Sequence, residues 1–282
     1  MKNTEWAIQA KIRKGKKISN NTKFSQFTID HSLFTMSNRL SLEVCAFNVQ
    51  SCIIGERAGA VRAELCDNPV EGGTTPSFGA IKQAREKIRI QLYPIIRPRA
   101  GNYFYDEEEF SIMQKDILLC KELGCDGISV GIQLQNGNID TQRLRRIVDW
   151  AYPMGVTCNR VFDAAPDPYK ALEEIIDCGC ERVLTSGQKS AAPDAIDILS
   201  KLVQQSAERI VIMPGAGVRS SNIEQLIKTG ATEFHTSARK IIPDNVLHQN
   251  PDVLDIGHPV IADEEELKKI VSLMMAHKEM VD

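Results

Sequence analysis

Short apolar runs recur about every 20 to 35 residues along this chain, and amphipathic, helix-length segments separate most of them. In order they are Leu42-Glu-Val-Cys45, Ala63-Glu-Leu-Cys66, Tyr93-Pro-Ile-Ile-Arg97, Gly127 to Ile132, Val156 to Asp163, Val183-Leu-Thr-Ser186, Val211-Ile-Met213 and Glu233-Phe-His235. Strand-length runs alternating with helix-length ones read as a parallel sheet with crossover helices. Eight such units predict an α/β fold, the closed (β/α)8 barrel, in which the C-terminal ends of the strands converge on one site. Such a barrel uses about 250 residues as a single domain. The 282 residues are therefore read as a barrel over 39–282 preceded by an extension over 1–38.

The extension carries the basic cluster Lys11-Ile-Arg-Lys-Gly-Lys-Lys17 and then much Ser, Asn and Thr, with no periodic apolar face, so it is expected to be disordered. No apolar stretch of secretory-signal length follows the basic cluster, and no aromatic or amphipathic pattern marks it as an anchor for RNA or lipid. A net charge of −3 offers no global reason to expect nucleic acid, and no apolar run approaches the roughly 18 residues of a membrane span. Eight cysteines without an export signal fit a reducing cytoplasm, where thiols stay free unless metal or catalysis uses them. Cys52, Cys120, Cys125, Cys178 and Cys180 fall on predicted helices or their ends and read as core residues.

Alternate residues of a barrel strand face the helices and the lumen, and a charge on the helix side would be buried without water. Parity therefore turns Glu43 and Cys45 inward on the first strand, Arg62, Glu64 and Cys66 on the second, and Tyr93, Ile95 and Arg97 on the third. On the last strand it selects Glu233, His235 and Ser237. Thr157, Asn159 and Asp163 read as one face of the fifth strand, with Arg160 on the other parity. Buried ion pairs are weak stability devices, because packed apolar residues often serve as well. Glu43, Glu64, Arg97, Asp163 and His235 are accordingly the candidate acids, bases and anion clamps of one cavity.

The loops after the strands add candidates for holding a small anion. Pro214-Gly-Ala-Gly-Val218, with Gly215 and Gly217, precedes Arg219-Ser-Ser-Asn222, where Ser or Asn is expected to cap the next helix. Loops after strands seven and eight are a frequent phosphate site in this fold, and Ser237, Arg239 or Lys240 extend that set. Thr185, Ser186 and Gly187 after strand six offer hydroxyls and free backbone, and Arg99 and Arg160 offer charge. Glu71-Gly-Gly-Thr-Thr-Pro-Ser77 is too rich in glycine for an ordinary helix and reads as a lid or rim, with Ser77 capping the helix that runs to Lys87.

At these strand ends the sequence resembles the CutC family, the copper homeostasis proteins. The matching stretches are Glu43-Val-Cys45, Glu64-Leu-Cys66, Glu71-Gly-Gly-Thr-Thr-Pro-Ser77, Ile96-Arg-Pro-Arg99, Arg160 with Phe162-Asp163, Leu184-Thr-Ser-Gly187, Gly215-Ala-Gly217 and Glu233-Phe-His-Thr-Ser-Ala238, running from about Ser41 to Lys240. The resemblance implies a TIM barrel, a cytoplasmic homodimer, a role in handling Cu(I), and Cys45 and Cys66 as the copper ligands. One position departs. The family pattern on strand five reads His-Arg-x-Phe-Asp where this chain has Asn159-Arg160-Val-Phe-Asp163, so a ligand or base role for that histidine does not carry over.

Two functions from different classes fit these residues. Soft thiolates suit Cu(I), and Cys45 and Cys66 stand at similar height on adjacent strands. The alternative is an enzyme, an isomerase, epimerase or lyase, acting on a small phosphorylated or carboxylated metabolite through the glutamates, His235 and the arginines. Lysine is absent from the predicted strand interiors, which argues against a Schiff-base aldolase.

Overall fold

The computed structural model describes residues 40–243 and 258–281. The extension expected over 1–38 lies outside the described residues. Eight parallel strands, β1 (Ser41–Ala46), β2 (Arg62–Leu65), β3 (Gln91–Ile96), β4 (Gly127–Val130), β5 (Gly155–Cys158), β6 (Arg182–Thr185), β7 (Val211–Pro214) and β8 (Glu233–Thr236), form one sheet in the order β7-β6-β5-β4-β3-β2-β1-β8. Between them run α1 (Val49–Arg57), α2 (Phe78–Lys87), α3 (Glu107–Glu122), α4 (Thr141–Ala151), α5 (Pro168–Cys178), α6 (Ile196–Ser206) and the short α7 (Ile223–Ile227). β1 pairs with β8 in the register Leu42↔Phe234 and Glu43↔His235, as barrel closure requires. At the other end of the order, Gly215 after β7 lies against the His235 ring on β8, so the barrel is nearly closed.

Alternation explains the core. Leu42, Val44, Ala63, Leu65, Leu92 and Ile96 face outward into one layer with Ile81, Met113 and Ile117 of the helices, all fully buried. Each of these side chains other than Ala63 contributes about 1.5–3 kcal/mol by leaving water. Polar residues set the helix starts: Asn48, Ser77, Asp106, Asp140 and Asp167 each accept a backbone N–H of the first turn, and Glu109 reciprocates Asp106 in a capping box. No helix among the described residues is long and apolar enough to cross a membrane.

Three local features differ from expectation. β5 ends at Cys158, because Asn159 Oδ1 accepts the Val161 N–H at 3.0 Å and starts a 3-10 turn over Arg160–Ala164. Asp163 therefore sits on that turn and does not share a strand face with Thr157. After β7 the helix is only α7, and Asn222 does not cap it; its Oδ1 accepts the Arg219 N–H at 2.9 Å within the preceding loop. Beyond β8, Arg239 and Lys240 belong to an antiparallel pair, β9 (Arg239–Ile241) with β10 (Val260–Ala262), ahead of the final helix α8 (Glu264–Val281).

Candidate functional site

The lumen is filled in layers, and the lower one is ionic. Arg62 pairs with Glu43 on β1 and with Glu233 Oε2 on β8 at 2.5 Å. Arg182 holds Glu233 and Glu181 at 2.7 Å each, and Tyr93 Oη donates to Glu181 at 2.6 Å. Both guanidinium groups lie over the Tyr93 ring, 5.3 and 5.6 Å from its centroid. Glycines make this possible. A Cβ on Gly127 would strike the Tyr93 ring, and one on Gly155 would strike Glu181 and the Tyr93 hydroxyl. Neither Arg182 nor Glu181 stood among the residues expected from sequence, although Val183 facing outward already placed Arg182 inward by parity.

Above this layer, register brings Cys45 beside Glu64 and Glu43 beside His235. The Cys45 and Cys66 sulfurs are 3.8 Å apart, and Cys66 Sγ lies 3.5 Å from Glu64 Oε2. His235 Nδ1 bonds Glu43 Oε1 at 2.6 Å, while its Nε2 lies 3.7 Å from Glu64 Oε2. These five side chains are all buried, with Ile95 packed against the two thiols. The backbone of Gly73 covers Cys66: a Cβ there would stand 3.2 Å from its sulfur.

Burial dominates the electrostatics and close partners reverse it selectively. It would raise Glu43, but Arg62 and His235 outweigh it and hold the carboxyl down at about 2. Cys45 falls to about 5, first because the Cys66 thiol donates to it, against burial, with His235 adding to the drop. Burial lifts Cys66 well above the ordinary thiol range, and burial plus the charge of Cys45 lifts Glu64 to about 8. Burial disfavours a charged His235, yet Cys45, Glu43 and Glu64 together raise it well above its usual value. These directions favour a thiolate at Cys45 and a cation at His235, with the protons kept on Cys66 and Glu64.

The other expected residues divide into separate groups. Asp163 accepts Thr185 Oγ1 at 2.5 Å, Ser186 Oγ at 2.9 Å and the Ser186 and Gln188 N–H groups at 3.1 Å, while Arg160 bridges Asp163 and Ser186. The Gly187 N–H returns to Thr185 Oγ1 at 2.8 Å. Arg97 is spent on rim loops, donating to the carbonyls of Glu71, Gly73 and Gly101 at 2.7, 2.6 and 2.7 Å. Arg99 likewise binds Glu109 and the Phe104 carbonyl. Tyr103 connects the groups, standing among the charges of Arg97, Arg160, Glu64 and Asp163. Asn159, where the family pattern has histidine, spends Oδ1 on Val161 and leaves Nδ2 buried without a partner.

In the loop after β7, Gly217 takes a positive φ of 75° and Gly215 gives room to Leu184 and His235. The carboxylate at this turn is the chain's own: Glu266 of α8 accepts Ser220 N at 2.8 Å and Ser220 Oγ at 2.9 Å. Arg239 donates to the Pro69 carbonyl, Lys240 pairs with Asp263, and Ser237 is half-buried after β8.

Residues 40–240 match the model of the CutC family. A relative described as family protein CutC from Parabacteroides distasonis is 45% identical over 227 residues, covering 80% of this chain and 93% of its own length. Another from Xylella fastidiosa is 41% identical over 241 residues, covering 85% and 90%. Among solved structures, a candidate copper homeostasis protein CutC from Streptococcus agalactiae superposes with a TM-score of 0.67 at 33% identity, covering 70% of this chain and 98% of its own. A thiamine phosphate pyrophosphorylase from Pyrococcus furiosus, at 12% identity and a TM-score of 0.53 over 85% and 97% of the two chains, shares the barrel fold alone.

Proposed function

The chain belongs to the CutC family, and from that premise we propose that it binds Cu(I) through Cys45 and Cys66 as part of copper homeostasis. The observation that carries this reading is the 3.8 Å separation of two buried thiols on adjacent strands at the C-terminal end of the barrel. An ion about 2.3 Å from each sulfur spans that distance with a sulfur–metal–sulfur angle near 110°. Thiolates are soft donors that select Cu(I), and Cys45 is already depressed to about 5. All eight cysteines are free and buried, which supports the cytoplasm, where thiols stay reduced, as the place of action. Copper is cargo in this reading, carried by a homodimer. The solved relative's description favours copper over the metabolite-enzyme alternative.

The test is anaerobic competition for Cu(I) against a chromophoric chelator, with wild type and Cys45→Ser/Cys66→Ser. The double variant loses most of the affinity, because a neutral hydroxyl is a hard, weak donor. Equal affinity in both proteins overturns the assignment. Sedimentation of the same samples checks the dimer.

A further inference from the structure

We propose that Cys45, Cys66 and Glu64 form a sulfur–oxygen centre for Zn2+, and that Glu64 decides between this divalent ion and Cu(I). The proposal uses the same thiol pair as the copper reading but does not require Cu(I) binding to be correct.

The geometry comes first. A tetrahedral Zn2+ with bonds of about 2.3 Å to sulfur and about 2.1 Å to oxygen places its sulfurs about 3.8 Å apart and each sulfur about 3.6 Å from the oxygen. Cys45 and Cys66 are 3.8 Å apart, and Cys66 lies 3.5 Å from Glu64 Oε2. The donor atoms of all three residues fall within 4.8 Å of one another. A linear two-coordinate ion would instead need its sulfurs about 4.6 Å apart. The sulfur separation suits an ion that takes further ligands, and Glu64 offers a third donor within 4.8 Å of both sulfurs.

Charge and donor type point the same way. With metal bound, two thiolates and one carboxylate place three negative charges on donors at least nine-tenths buried. Beside the same His235, a divalent ion offsets two of these charges and a monovalent ion one, a difference that a low-dielectric site magnifies. A carboxylate oxygen is a hard donor that Zn2+ accepts readily and Cu(I) does not, while the two sulfurs exclude Mg2+ and Ca2+. Beside the carboxylate stand His235, held by Glu43 at 2.6 Å with its Nε2 3.7 Å from Glu64 Oε2, and Ser129.

The test uses reduced, metal-free full-length protein under anaerobic conditions. ZnCl2 is titrated against a chromophoric zinc chelator, and Cu(I) against a Cu(I) chelator, for wild type, Glu64→Gln and the double serine variant. Wild type binds one Zn2+. Glu64→Gln, which keeps the shape and removes the anionic donor, weakens Zn2+ by about 10-fold or more and leaves Cu(I) affinity within about 3-fold. Co2+ serves as a spectroscopic substitute: its thiolate charge-transfer band appears in wild type and vanishes in the double serine variant. The Co2+ spectrum of the wild type tests the centre even if Glu64→Gln fails to fold. No Zn2+ binding, no thiolate band with Co2+, or equal loss of both metals in Glu64→Gln overturns the proposal. Zn2+ bound as described without measurable Cu(I) sinks the copper reading alone, and Cu(I) without Zn2+ sinks this one alone.

Discussion

Glu43→Gln removes the carboxylate that joins the ionic layer to the layer of Cys45, Glu64, Cys66 and His235, and its cost can be worked from the structure. Glu43 is buried and held at about 2 against an ordinary 4.5. Each tenfold change in proton affinity is worth about 1.36 kcal/mol, so the ionised form favours the folded state by about 3 kcal/mol at neutral pH. Glutamine preserves the shape but leaves Arg62 with Glu233 as its only anionic partner among the described residues. The expected loss of about 3 kcal/mol is what breaking one side of a buried pair typically costs. Because the folded value lies below the ordinary one, this stabilisation is complete above about pH 4.5 and drains away as the pH falls through about 2. The gap between wild type and variant should therefore narrow by about 2 kcal/mol between pH 7 and pH 3. Urea unfolding followed by far-UV circular dichroism at both pH values measures it. A gap below about 1 kcal/mol at pH 7, or one that does not narrow by pH 3, refutes the reasoning.

Arg62→Met takes away the cation that Glu43 and Glu233 share, leaving Glu43 with His235 and Glu233 with Arg182, and should cost about 3–5 kcal/mol in the same assay. Combined with Glu43→Gln it should cost clearly less than the sum, since the two residues share one interaction; strict additivity would show them to be independent. Gly155→Ala drives a methyl into Glu181 and Tyr93 and should lower stability by about 1–3 kcal/mol, so an unchanged melting temperature would mean the floor of the barrel is slack. Asp163→Ala removes the acceptor shared by Thr185, Ser186 and Gln188, and the Ser186 and Gln188 amides should lose hydrogen-exchange protection while those of β1 keep theirs. Equal change in both regions would show that Asp163 acts on the whole fold.

Much of the site was legible because parity is a strong constraint. A charge cannot face the helix layer, so Glu43, Glu64 and His235 had only the lumen to enter, and they meet there. Arg97 shows the limit of that argument. Parity places its stem, but the carbonyls of Glu71, Gly73 and Gly101 come from loops whose paths no strand pattern encodes. Asp163 shows another. Its run is apolar enough to be a strand, and only the competition of the Asn159 side chain for the Val161 N–H turns the backbone aside.

The sequence by itself determined the barrel, its strand directions and the inward set, because periods of two and of 3.6 residues are local properties that burial enforces along each element. Tertiary structure alone decided which inward residues meet. The 3.8 Å between Cys45 and Cys66 and the contact of Glu43 with His235 depend on the register of β1 against β2 and β8. β1 and β2 are consecutive, but β1 and β8 come into register only when the barrel closes, and no strand pattern carries a record of either alignment.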